Sequence, residues 1–150
     1  KKHGIKNTIF RPFSGYGSDQ DLNYPFPSIV LRAINHKSKK KFIVWGSGYQ
    51  MRDFIHIKDV IRGSLIIARK IKNGEAVNLS SGKLLSFISL SKKIFKILGR
   101  KNIKVNGNSN KPEGVYARGG STFLQKKYGF VPKISIDQGI MWAIEYFDKK

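Results

Sequence analysis

The chain has 150 residues, 40% hydrophobic and 25% charged, enough for about one domain with a real core. It has no cysteine, which excludes a disulfide framework and a cysteine zinc site, and no apolar run approaches the ~20 residues that a membrane helix needs. Its net charge of +20 raises nucleic acid as a partner, with phosphate contacts dominating affinity.

In chain order, Thr8 to Phe10 with its flanks predicts a short strand ending at Arg11–Pro12, and Ser14 to Gly17 then turns the chain. Pro25 and Pro27 stand at first-turn positions ahead of Ile29, Val30, Ala33 and Ile34, which predicts a helix to about His36. Lys37 to Lys41 (KSKKK) is the one dense basic run, placed where a solvated loop belongs. Phe42 to Trp45 reads as a buried short strand closed by Gly46-Ser47-Gly48. Phe54 to Ile57 predicts a second strand. Asp59 is then the expected N-cap of a helix from Val60 to about Ile71, ended by Asn73-Gly74.

Ala76 to Leu79 predicts a strand and Ser80-Ser81-Gly82 a turn. Ser86 opens a helix with Phe87, Leu90, Ile94 and Ile97 on one face, closed by Gly99. Ile103 to Val105 is an expected strand, Gly107 to Gly114 a loop, and Thr122 to Tyr128 a short helix ended by Gly129. Ser135 with Gln138 three residues on is a capping box for the last helix. Strands and helices alternate without an internal repeat, which predicts a mixed α/β class.

Much familiar chemistry is missing from the sequence. It contains neither a GxxxxGK[ST] loop nor a GxGxxG after a strand. His3, His36 and His56 lack metal-ligand spacing, so no metal site is expected, and His56 reads as a packed strand residue. Arg52 follows a glycine turn and precedes an alternating strand. Its planar fork suits two oxygens of a phosphate, and the alternative is a solvated arginine paired with Asp53 or Asp59. Trp45 is either a flat wall for a nucleotide base or a core residue.

Four segments carry a resemblance, in one order. VWGSGYQMRDFIHIKDVIRG, Val44 to Gly63, is similar to the G-x-G-x-Q-x-R-D-[FY]-[IV]-x-[VI]-x-D-V segment of the NAD-dependent epimerases and dehydratases. These are extended short-chain dehydrogenase/reductases that act on nucleotide-activated sugars. RPFSGYG, Arg11 to Gly17, resembles their R-x-x-N-x-Y-G-P stretch, and AVNLSSGKLLSFISL their strand, glycine turn and helix start. KPEGVYARGGSTFLQKKYGFVP, Lys111 to Pro132, resembles the closing K-P-D-G segment of the branch that includes GDP-fucose synthase.

The resemblance implies the C-terminal part of a Rossmann-type extended short-chain dehydrogenase/reductase. Residues 1–20 would be the last strand and turn of the NAD-binding domain, and residues 21–150 a smaller mixed α/β nucleotide-sugar-binding domain. The chain opens at Lys1 almost directly with a strand pattern, which gives the same expectation of a piece of a longer chain. The family's glycine fingerprint and catalytic Tyr-x-x-x-Lys lie upstream of the matching region, so no catalytic residue is expected here and no turnover by this segment alone. The resemblance places Pro12 and Phe13 near the nicotinamide of NAD or NADP. It places Ser14 at a sugar-facing Asn position, Pro25 and Phe26 at a nucleotide-facing helix start, and Val44 and Trp45 beside the base. Arg52 falls on the diphosphate and Arg118 on a second phosphate contact one residue out of register, while Ser121 stands where the family has Asp. The implied partner is a nucleotide-diphosphate sugar, GDP-linked by preference. The implied assembly is a cytoplasmic homodimer of the full-length protein, with no membrane contact.

Two other classes compete. A basic nucleic-acid-binding module would use the charge, yet neither stacked aromatics nor a recognition helix accompanies it. Lysine outnumbers arginine by about three to one, the usage of an AT-rich genome, which accounts for the charge without a partner. A catalytically dead relative retaining the fold is the other, supported by Ser14 and Ser121.

Overall fold

The structure is a computed structural model that describes residues 4, 6–37 and 41–149. His3 and most of the basic run, Ser38 to Lys40, lie outside the described residues.

The architecture is mixed α/β, with several small sheets. Strand β1 (Asn7–Pro12) pairs in parallel with β6 (Asn73–Leu79). Phe10 of β1 packs with Ile67, Ile71, Val77, Leu79 and Phe130 in one apolar cluster, covered by helix α2 (Ile57–Ala68) and the short helix α4 (Phe123–Lys127). The chain turns through β2 (Gly15–Tyr16), which pairs in parallel with β5 (Ile55–His56).

A second cluster forms where helices α1 (Pro25–Ile34), α3 (Phe87–Ile97) and α5 (Ile136–Asp148) pack on one another. Their apolar stripes bury Ile29, Val30, Ala33, Leu90, Ile94, Ile140 and Ala143. Parallel strands β3 (Lys41–Trp45) and β8 (Lys104–Asn108) add Phe42, Val44 and Val105. Alternation along β3 buries Phe42 and Val44 and turns Trp45 outward. Ser86 and Ser135 cap α3 and α5 as their positions predict, each hydroxyl accepting the N–H three residues on.

Between these clusters lies a three-stranded sheet. Its central strand β4 (Met51–Asp53) is antiparallel to β7 (Leu84–Ser86) and parallel to β9 (Ala117–Arg118). Neither edge strand is predicted from sequence, because two- and three-residue strands have no measurable periodicity.

Several boundaries differ from expectation. Of the predicted strand from Phe54 to Ile57 only Ile55–His56 is strand, β5; Phe54 separates it from β4, which ends at Asp53, and Ile57 belongs to α2. Helix α2 starts at Ile57, and its N-cap is His56, whose Nδ1 accepts the Lys58 N–H at 3.2 Å. Asp59 sits inside the first turn and turns away from it. Its carboxylate accepts the N–H groups of Lys133 and Ile134 at 2.9 and 2.8 Å and pairs with Arg62. Asn73-Gly74 opens β6 instead of ending α2. Gly74 takes a left-handed φ of +82° where the β1–β6 register shifts, so the glycine serves a bulge. Gly107 continues β8 rather than beginning a loop.

Candidate functional site

The central strand β4 faces two ways. Asp53 points inward and is 1% exposed. Its carboxylate accepts Ser81 N–H at 2.8 Å, Ser81 Oγ–H at 2.6 Å and Gly82 N–H at 3.1 Å, and it also takes the Ser80 hydroxyl. Ser80 Oγ lies within 2.9 Å of the Gly120 carbonyl, so the β6–β7 turn is tied to the chain leaving β9. Gly120 packs flat against Phe13, where a Cβ would come within 2.6 Å of the ring. One buried carboxylate therefore joins the end of β1 to the sheet that carries Arg52.

Arg52 points the other way and stands directly beside Arg118 across the β4–β9 pair. Its Nη1 donates to the Met51 and Val115 carbonyls at 2.8 and 2.7 Å, and the guanidinium lies 5.6 Å from the Phe87 ring centroid. Burial, and then the charge of Arg118, lower the Arg52 pKa. The ion pairs among the described residues are Arg62–Asp59 and Lys93–Asp137. The pairing of Arg52 with Asp53 or Asp59 is thus absent: Asp53 is turned into the serine loop and Asp59 holds the 133–134 backbone. Two guanidinium groups stand together without a carboxylate between them, and Nε and Nη2 of Arg52 have no hydrogen-bond acceptor among the described residues. That leaves one edge of a planar cationic fork open to solvent, a geometry that two oxygens of an anion can match.

Trp45 is 57% exposed, which removes the core reading of this residue. Lys111 Nζ sits 5.7 Å from its ring centroid, and its carbonyl accepts Gln50 Nε2 at 2.7 Å. In the Gly46-Ser47-Gly48 turn, Ser47 donates its N–H and hydroxyl to Glu113 at 3.1 and 2.7 Å, which lowers the Glu113 pKa. Gly46, at φ +68°, lets the Glu113 backbone press close, since a Cβ there would meet Glu113 Cα at 2.9 Å.

The other predicted positions divide. Pro12 is exposed, Phe13 is half-buried beside Gly120, and Ser14 is half-buried with φ +37°. Pro25 is exposed, but the side chains of Phe26 and Val44 are core, each 1% exposed, with Phe26 packed 4.2 Å from the Tyr16 ring. Neither of these two side chains can face a ligand, which leaves only their backbone for contact. Ser121 Oγ accepts the Phe123 N–H at 3.3 Å. Arg52, Arg118 and Phe13 are linked through β9 and Gly120, and Trp45 is joined to Arg52 through residues 111–115.

A cleft of about 620 Å³ lies elsewhere, between Phe54, Leu85, Lys126 and Ile134, and includes none of the predicted site residues. Its Lys93 is already paired with Asp137. Its Lys83, Lys126 and Lys133 have no ion-pair partner among the described residues either, so what sets Arg52 and Arg118 apart is their placement opposite one another in the β4–β9 pair. Among the described residues, no group of three or more acidic or imidazole side chains could hold a metal, and no helix is long and apolar enough to cross a membrane.

Comparison with known proteins adds a family likeness. The model of the NAD dependent epimerase/dehydratase family matches residues 1–80. A putative GDP-L-fucose synthase 2 of Arabidopsis thaliana is 27% identical over 143 residues, which are 91% of this chain and 43% of that protein. The structure of a UDP-glucose 4-epimerase with UDP-glucose from Thermotoga maritima superposes with a TM-score of 0.84 at 25% identity, over 99% of this chain and 48% of that one. A UDP-glucuronic acid 4-epimerase from Bacillus cereus, solved with UDP-glucuronic acid and NAD, shares the fold with a TM-score of 0.80 at 23% identity, over 95% of this chain and 45% of that one. The chain spans about half the length of the curated relatives it matches.

Proposed function

Because the chain belongs to the NAD dependent epimerase/dehydratase family, we propose that it is the substrate-binding part of an NAD(P)-dependent nucleotide-sugar epimerase, dehydratase or reductase. The observation that carries this reading is the Arg52–Arg118 pair, two adjacent guanidinium groups left without a carboxylate. Holding like charges together costs free energy in the empty protein, and a diphosphate bound between them removes that cost. Arg52 grips two phosphate oxygens through Nε and Nη2 while its Nη1 stays on the two carbonyls. Arg118 supplies the second positive charge. The exposed face of Trp45 is the wall for the base, and the half-buried Ser14 faces the sugar.

The GDP preference rests on the likeness of the Lys111–Gly114 stretch to K-P-D-G and on the fucose synthase relatives; the solved neighbours quoted above carry UDP sugars. Exposed Pro12 and half-buried Phe13 offer an apolar edge that suits a nicotinamide ring. Bound NAD(P) would supply the hydride chemistry, while these residues limit water at that edge. On this reading residues 1–20 finish the NAD-binding domain and residues 21–150 bind the nucleotide sugar. The 150 residues alone give no turnover, and the full-length protein is a cytoplasmic homodimer.

Calorimetry of GDP and UDP-glucose with the full-length protein tests the clamp. Losing a partly buried, charge-assisted contact of about 1.5–3 kcal/mol predicts roughly 10- to 150-fold weaker binding for Arg52→Ala. Equal affinities for wild type and variant would remove Arg52 from the site.

A further inference from the structure

We propose that Glu113 is a positioning residue, the latch that holds residues 109–116 as a strap across Trp45 and Arg52 and so sets the geometry of the diphosphate clamp. The inference rests on the reading of Arg52 as that clamp.

The strap is a poorly packed segment with an important carbonyl on it. Lys111, Pro112 and Gly114 to Arg118 are all exposed, so burial contributes little to its placement. Near its start, the Lys111 N–H reaches the Asn108 carbonyl and the Asn110 N–H the Asn108 side chain. At its far end, the Tyr116 carbonyl accepts the Met51 N–H and β9 begins. Between these ends, among the described residues, the hydrogen bonds that tie the strap to the rest of the protein are those that Ser47 donates to Glu113 and Arg52 donates to the Val115 carbonyl.

Both flanking groups depend on that middle. Val115 supplies one of the two carbonyls that fix Arg52 Nη1, and Lys111 supplies the cation beside the Trp45 ring. The Glu113 carboxylate takes both donors of Ser47, in a turn whose backbone is itself committed by Gly46 and Gly48 at φ +68° and +78°. A side chain that grips a rigid turn by two hydrogen bonds is a fixed anchor. Without it the middle of the strap keeps only the packing of the Glu113 backbone on Gly46 and the Val115 carbonyl on Nη1; that carbonyl loosens, and the fork must be re-ordered each time a ligand binds.

The test is a double-mutant cycle in the full-length protein, with GDP as the probe and calorimetry as the readout. Glu113→Ala weakens GDP binding about tenfold, within what two hydrogen bonds to a charged group supply. Ser47→Ala, which removes one of the two bonds, weakens it about threefold and serves where Glu113→Ala does not fold. Glu113→Gln restores affinity to within about threefold, because its amide oxygen accepts the Ser47 N–H and its NH2 donates to Ser47 Oγ. In an Arg52→Ala background, Glu113→Ala weakens binding by no more than about threefold, the part carried through Lys111 and Trp45, since the latch acts mainly through the arginine. NAD affinity is unchanged throughout. Full additivity of Glu113→Ala and Arg52→Ala would overturn the latch, as would unchanged GDP binding in Glu113→Ala while Arg52→Ala binds weakly. If Arg52→Ala itself binds GDP normally, the clamp fails, and the latch with it.

Discussion

Replacing Asp53 should damage the protein more than its single charge suggests. The carboxylate is buried and accepts two backbone N–H groups, Ser81 on Oδ1 and Gly82 on Oδ2, besides two serine hydroxyls. Asp53→Ala strands the Ser81 N–H, while the Gly82 N–H falls back on Ser80 Oγ and the two hydroxyls on the Gly120 and Lys83 carbonyls. A stranded amide costs about 1–3 kcal/mol. The expected loss is about 2 kcal/mol, a fall in Tm of about 4–8 °C for a chain of this size. Asp53→Asn is the sharper variant. Whichever way its amide is turned, the NH2 group faces one backbone N–H, because each carboxylate oxygen holds one. Asn should therefore lose one amide bond and about half as much stability. Urea and thermal unfolding of the three proteins decide the matter. If both variants unfold within about 0.5 kcal/mol of wild type, the carboxylate is not the tie between the serine turn and β4.

His56 gives a pH dependence. Burial, then Lys58, lower its pKa from the ordinary value of 6.5, with Asp59 opposing. Its contribution to stability is complete above 6.5 and is lost as pH falls through the lower folded value, because protonated Nδ1 cannot accept the Lys58 N–H. His56→Asn keeps a cap acceptor, and its urea midpoint should fall less than that of wild type as pH drops below 6.5. Gly139→Ala should destabilise by about 1–3 kcal/mol despite better helix propensity, since its Cβ would meet Tyr16 Oη at 2.3 Å; a raised Tm would contradict this. Arg100→Met removes donors to the Ala33, Ile34 and His36 carbonyls at the end of α1, at an expected cost of about 1–2 kcal/mol in urea unfolding.

The parts of the fold legible in sequence are those whose cause is local. Ser86 and Ser135 cap helices because the acceptor and the N–H it meets are three residues apart. Gly99 and Gly129 end helices with left-handed φ for the same reason. Asn73-Gly74 shows the limit of that logic. The dipeptide signals a left-handed turn correctly, but the turn belongs to a strand bulge fixed by β1, which arrives from elsewhere in the chain. Asp59 misleads in the same way: next to a helix start an aspartate reads as a cap, while its actual partners, Lys133 and Ile134, lie 74 and 75 residues on.

The site divides along that line too. Arg52 stands out locally, as an arginine after a glycine turn in a lysine-rich chain, and the likeness of its segment to a known motif makes it more conspicuous still. What makes it available to a ligand is not local at all. The chain has only nine acidic residues, and the nearest in sequence to Arg52 are occupied by distant backbone: Asp53 by a turn 27 to 29 residues away and Asp59 by the 133–134 segment. Glu113, brought up to Ser47 across 66 residues, is spent on the strap. No spacing in the sequence signals such pairings. The arginine pair is left without a carboxylate because the fold uses Asp53, Asp59 and Glu113 as ties for its loops, and few carboxylates are spread among many donors.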